Sequence, residues 1–180
     1  MSYKSTKIAL GGLFSALCLA IMFLSGIIPF ATYALPAFAG AMLIAIVVEN
    51  GRKTAVMVYI SVSLLSLFVV ADKEAAMMFI AFFGYYPILK ERLERVKSRI
   101  IEYVFKLLLF NITIVAGYSV LTFVIGIPFF EDEFAEFFKY GPLLLLAAGN
   151  ALFLLYDYVL TRYFTVYVRY FRPRFLRKSL

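Results

Sequence analysis

Residues 8–29 carry no charged side chain. A helix of about 20 apolar residues crosses the hydrocarbon core of a bilayer, so this run is long enough to span one. The rest of the chain has the same character. Of its 180 residues 64% are apolar, the mean hydropathy is +0.92, and there are only 18 Lys and Arg with 11 Asp and Glu. Soluble domains are nearer half apolar and a quarter charged, so a water-facing surface cannot be assembled from this composition. The chain is expected to be an all-α integral membrane protein.

The same inventory narrows the chemistry. There is no His, and Cys18 is the only cysteine. Imidazole metal sites, intrachain disulfides, Ser-His-Asp triads and Cys-His dyads are therefore excluded within the chain. No cofactor, metal site or enzymatic activity is expected. The net charge of +7 is assigned to a negatively charged cytoplasmic leaflet and not to nucleic acid, because the surrounding sequence is apolar.

Six transmembrane helices are expected, over residues 8–29, 31–48, 54–71, 75–89, 101–127 and 142–161. They divide the basic residues unevenly: 16 Lys and Arg fall on one side and only Lys73 and Lys139 on the other. Positive residues stay inside, so both termini are expected to be cytoplasmic. Dropping one helix would scatter the basic loops over both faces. A cleaved leader is the competing reading of the N-terminus, but an h-region of about 7 to 15 residues is shorter than this first run. A single membrane domain is expected over 1–180, in the multi-pass cell membrane of a bacterium. Residues 162–172 are expected to extend the last helix along the inner membrane surface, and residues 90–99 to form a short solvated cytoplasmic helix with Glu91 and Arg95 at i,i+4 spacing.

Polar groups at membrane depth need a partner or a cavity. Asn111 and Asn150 both fall near the midplane, and Thr113, Tyr118, Ser119 and Thr122 continue a partly polar path along the fifth span. Interhelical hydrogen bonding and a solute-lined cavity both fit these residues. Lys106 and Asp157 lie at matched depth on the last two spans and are expected to form a structural ion pair. The carboxylates Glu131, Asp132, Glu133 and Glu136 of the last outer loop read as solvated charge or as an attraction for a cationic solute.

Gly12, Ala16 and Ala20 recur every fourth residue on the first span. In lipid such a smooth stripe lets two helix backbones approach closely, either inside the bundle or against another membrane subunit. Six helices, cytoplasmic termini, a basic start and this stripe together resemble the substrate-binding S component of energy-coupling factor vitamin transporters. In that family an Ala-x-x-x-Ala motif on the first helix contacts the transmembrane coupling subunit; Ala16 and Ala20 match it and Gly12 extends it by a turn. Family members bind their small molecule near the outer face, under the loop between the first two helices. That loop's position adds Thr32 and Tyr33 to Asn111, Tyr118, Thr122 and Asn150 as candidate substrate-binding residues. The resemblance implies uptake of a vitamin-like molecule, energised by a membrane coupling subunit and ATPase subunits. The chain has no G-x-x-x-x-G-K-[ST] loop of its own. Two other classes stay open: a structural scaffold similar to rod-shape-determining proteins, and a small lipid transporter or scramblase.

Overall fold

The computed structural model describes residues 3–28, 31–96, 98–120, 123 and 141–171. They form helix α1 (Tyr3–Phe23) with a 3-10 turn at Leu24–Gly26, α2 (Ala34–Asn50), α3 (Arg52–Val69) and α4 (Lys73–Met78), which runs on as a π-helical turn, Phe79–Phe83. Helices α5 (Tyr86–Leu93), α6 (Arg99–Val120) and α7 (Gly141–Val166) follow, the last running into a second π turn, Tyr167–Phe171. No strand occurs among the described residues. Among the described residues three segments are long and apolar enough to cross a membrane, Lys7–Gly26, Arg52–Val69 and Arg99–Gly117, and Ala34–Asn50 is a shorter apolar helix.

One segment differs from the sequence reading. Residues 90–99 do not make a separate helix: Lys90 sits in the last turns of α5, which stops at Leu93, and the chain turns before α6 begins at Arg99. The Glu91–Arg95 pair does form, at 2.6 Å, as that exit turn. The 75–89 span is a broken helix, because Pro87 near the start of α5 has no N–H to offer its i−4 carbonyl, and the ladder shifts to i→i+5 where Gly84 N donates to Phe79 O at 2.8 Å. The segment at 162–172 continues α7 as helix through Phe171, and Arg172 lies outside the described residues.

Short links hold the helices antiparallel. Gly51 joins α2 to α3 at φ +84°, a left-handed conformation that a glycine adopts without strain. Asp72 caps α4 by accepting from Ala75 N at 3.0 Å, and Lys73 Nζ donates to Leu67 O and Val70 O at the end of α3. One of the two Lys residues on the acidic side is thus a helix cap.

Helix α2 is the hub. Ala39, Leu43 and Ile46 pack with Cys18, Met22, Val58 and Val62 of α1 and α3, whereas Ala41 and Ile44 on its other side pack with Phe82, Tyr86, Phe110 and Phe153. A helix apolar all round is one that neighbours enclose. Close approach is needed where α2 meets the π turn: a Cβ at Gly40 would collide with the Phe83 carbonyl oxygen, the acceptor that Pro87 leaves without its helical donor. Tyr59 Oη donates to Ile80 O at 2.7 Å, satisfying another carbonyl of that turn.

Candidate functional site

Among the described residues the buried charged side chains gather where α5, α6 and α7 converge. Tyr86, Lys90 and Glu94 recur every fourth residue on one side of α5 and its exit, and Glu102 and Lys106 do so on α6. Pro87 starts α5 in the direction that carries Lys90 to α7. There Asp157 accepts from three donors: Tyr86 Oη at 2.6 Å and Lys90 Nζ on one carboxylate oxygen, and Lys106 Nζ at 2.9 Å on the other. Lys90 Nζ also meets Glu94 Oε1 at 2.9 Å and the Asp157 carbonyl at 3.0 Å. Lys106 Nζ meets Glu102 Oε1 at 2.7 Å and Glu94 Oε1 at 3.5 Å.

Lys90, Lys106, Glu102 and Asp157 are all buried. Charges in such a place persist only when paired and hydrogen-bonded, and here each ammonium has at least two carboxylate partners. Three carboxylates face two ammonium groups, so the formal sum is one negative charge. The arrangement ties three helices at one end of the bundle.

Directly above it is a layer of rings. Phe82 stacks on Tyr86 at 4.8 Å between ring centres, Phe110 stacks on Phe153 at 4.9 Å, and Phe82 meets both Phe110 and Phe153 edge to face. A proton relay needs titratable groups in continuous succession. Phe82, Phe110 and Phe153 carry none, and the charged cluster borders them through the Tyr86 phenol.

Beyond that layer Asn111 and Asn150 face each other. Asn111 Nδ2 donates to Asn150 Oδ1 at 2.9 Å, and Asn150 Nδ2 donates to Asn111 Oδ1 at 3.1 Å. Each amide also donates to its own helix, at Leu107 O and Leu146 O respectively. The pair satisfies its donors without a solute. Thr113 and Ser119 likewise donate back to α6 carbonyls.

The other candidate residues are dispersed. At the opposite end of the bundle Tyr33 Oη donates to Glu74 Oε1 at 2.5 Å, joining the start of α2 to that of α4, and Thr32 beside it is half-buried. Tyr118 belongs to α6, and Thr122 and the carboxylates Glu131, Asp132, Glu133 and Glu136 lie outside the described residues. Two small clefts stand out among the described residues. One is lined by residues of α3 and α5, the other by Leu10, Phe14, Ala45, Ile46, Glu49, Asn50 and Tyr167, and neither is lined by Thr32, Tyr33, Asn111 or Asn150. No group of three or more metal-ligating side chains occurs among the described residues.

Ala16 and Ala20 are exposed, and a Cβ added at Gly12 meets nothing within 4 Å. The inward face of α1 is the neighbouring one, with Gly11, Cys18 and Met22 buried, and a Cβ at Gly11 would lie 3.6 Å from Val58 Cγ2.

Lys106 with Asp157 is the pair whose depth was readable from the sequence. Lys90, Tyr86, Glu94 and Glu102, which complete the cluster, were not read as part of it. Their signal is the i,i+4 recurrence, which places Tyr86 with Lys90 and Glu102 with Lys106. No family model, curated protein or solved structure matches the chain.

Proposed function

We propose that this chain is the substrate-capture membrane subunit of an energy-coupling factor transporter. In this reading it spans a bacterial cell membrane six times with both termini cytoplasmic. It takes up a small vitamin-like molecule from the outer face and relies on a coupling subunit and ATPase subunits for energy. It performs no catalysis, holds no cofactor and binds no nucleic acid, and its basic end rests against anionic lipid. The observation that carries the reading is the orientation of Gly12, Ala16 and Ala20, a smooth exposed stripe on a helix whose adjacent face is filled by its own bundle. In lipid, where apolar exposure alone drives no association, a smooth backbone surface favours close contact with another helix.

The test is native mass spectrometry of gently solubilised protein from its source membrane. The reading requires a complex of this chain with a membrane coupling subunit and ATPases, carrying a retained small molecule. Isolation of the chain alone, without partner or ligand, sinks it. Orientation is tested separately by Arg95→Cys in a Cys18→Ala background; labelling by an impermeant reagent from outside intact cells would reverse the topology. One observation favours a second reading, a structural membrane scaffold: Asn111 and Asn150 use their amides on each other. A scaffold would copurify with other membrane proteins but with neither ATPase nor ligand.

A further inference from the structure

The cleft between α3 and α5 has a volume of about 220 Å³ and is lined by Arg52, Val56, Tyr59, Tyr85, Ile88, Leu89 and Arg92. Five of its seven residues are apolar or aromatic and the other two are arginines. Arg52 is the first residue of α3 and Arg92 lies in the last turn of α5, so both cations stand at the same end of the cleft. Arg52 Nη2 donates to Glu91 Oε2 at 2.9 Å, but its Nε is buried and has no acceptor among the described residues. Arg92 makes no ion pair among the described residues. The outer face of α3 beside the cleft is apolar and open, with Val56, Met57 and Ile60 all exposed.

A guanidinium is the side chain best matched to a phosphate, and Arg92 stands exposed with no carboxylate to pair it among the described residues. Two arginines above an apolar slot, at the basic end of a bundle whose flanking helix surface suits hydrocarbon, have the layout of a phospholipid: charge at the headgroup level and acyl chain below it. We infer that this cleft binds one anionic phospholipid of the cytoplasmic leaflet, its phosphate held by the accessible part of the Arg52 guanidinium and by exposed Arg92 and its proximal acyl segment lying along Val56, Tyr59 and Ile88. The carboxylate paired with Arg52 is Glu91, which Arg95 also holds, so it is neutralised from two sides. The inference rests on the membrane reading and on the basic end being cytoplasmic, and it is independent of solute capture.

The experiment uses the full chain, delipidated in a neutral detergent and titrated with phosphatidylglycerol or phosphatidylcholine, with bound lipid counted by native mass spectrometry and thermal stability followed in parallel. One phosphatidylglycerol should be retained in preference to phosphatidylcholine and should raise the melting temperature. A basic residue near a membrane surface contributes about 1 kcal/mol to anionic-lipid binding, about fivefold in affinity. Arg52→Gln and Arg92→Gln should each weaken retention by about that factor, and the double variant by roughly the product. Because Arg52→Gln also breaks the contact with Glu91, Val56→Trp is the second probe: it fills the slot, leaves both arginines, and should also displace the lipid. Lys53→Gln, an exposed cation that does not line the cleft, should leave retention unchanged. Equal binding of phosphatidylcholine, or an equal loss in Lys53→Gln, overturns the site. Stabilisation by inorganic phosphate or glycerol 3-phosphate to the same extent as by lipid would assign the arginines to a soluble anion and likewise overturn it. Loss of partner subunits with lipid retention intact would count against the transporter reading and leave this site standing.

Discussion

Lys106 Nζ lies 2.9 Å from Asp157 Oδ2 across the α6–α7 interface, and both side chains are almost wholly buried. Asp157 is also the acceptor for Lys90 and Tyr86, so the two members of the pair are unequal. Asp157→Asn takes from Lys90 and Lys106 the carboxylate they share but leaves Lys90 with Glu94 and Lys106 with Glu102 and Glu94, so it should destabilise the protein by about 1–3 kcal/mol, the cost of weakened buried hydrogen bonds. Lys106→Met takes from buried Glu102 its ion pair and leaves three carboxylates facing Lys90 alone, so it should cost more, about 3–5 kcal/mol, the range for breaking a buried ion pair. Thermal unfolding in detergent of both single variants and the double should give less than the sum of the singles. Strict additivity would mean that the two charges do not stabilise one another.

Asn111 and Asn150 test the division between packing and solute binding. Asn111→Leu removes one amide and leaves the other short of its cross-helix partner, which should destabilise by about 1–2 kcal/mol. Replacing both by Leu should recover most of that loss, because no polar group is then left unpaired. If the pair serves the proposed uptake function, the stable double variant should lose solute binding. A double variant that is stable and still binds solute would remove both residues from the site.

The apolar runs that define the helices were legible because lipid-length helices need no partner to be recognised: 54–71 and Arg52–Val69 differ by two residues at each end. Lys106 and Asp157 were legible for a related reason, since a charge inside an apolar run stands out. Lys90 was not, because it opens a run of five basic residues, and such a run reads as a solvated cytoplasmic segment. Its burial depends on the break at Gly84–Pro87, which turns α5 toward α7. Nor does spacing say which of two adjacent faces of α1 points inward: Gly11, Cys18 and Met22 suit a helix contact as well as Gly12, Ala16 and Ala20 do. That choice is made by α2 and α3, which close over the first set.

Close packing at the π turn makes glycine replaceable in one place and not in another. Gly40→Ala would push a methyl group into the Phe83 carbonyl oxygen, a backbone atom that cannot swing away, and should destabilise by about 1–3 kcal/mol. Gly84→Ala should behave similarly, since its Cβ would lie 2.5 Å from Tyr59 Cδ2. Gly12→Ala meets nothing and should be neutral or stabilising by up to about 1 kcal/mol through helix propensity. Equal melting temperatures for Gly40→Ala and Gly12→Ala would contradict this account of how α2 approaches the turn.

Glu91, outside the apolar spans, carries a pH dependence. The hydrogen bond from Arg95, opposed by some desolvation and reinforced by the one from Arg52, holds its carboxyl below the usual carboxylate range. A depressed folded-state value stabilises the protein above the unfolded value of about 4.3, and that contribution is lost as pH falls through the folded one. The stability difference between the natural chain and Glu91→Gln should therefore be constant from about pH 6 to 8 and shrink below about pH 4. High salt should shrink it at every pH, since the carboxylate is half exposed and screened. A difference that grows on acidification would reverse the sign of the interaction.

The exposed stripe on α1 separates the transporter reading from its rivals. Ala16 and Ala20 face away from the bundle, and their outward side is flanked by the exposed Leu13 and Leu17. A leucine at either position overpacks nothing inside the chain, so Ala16→Leu, Ala20→Leu and the double variant should be monodisperse and melt within about 0.5 kcal/mol equivalent of the natural protein, as surface changes do. At a helix–helix contact between subunits, by contrast, two leucines would hold the backbones apart by the width of a side chain and remove the close contact that lipid-embedded helices depend on. The folded double variant should thus lose its membrane partner and all uptake while still binding solute in detergent. If it unfolds, the stripe is part of the bundle's own interior; if it folds, assembles and transports normally, this face is lipid-exposed surface and the capture-subunit reading loses the observation that carries it.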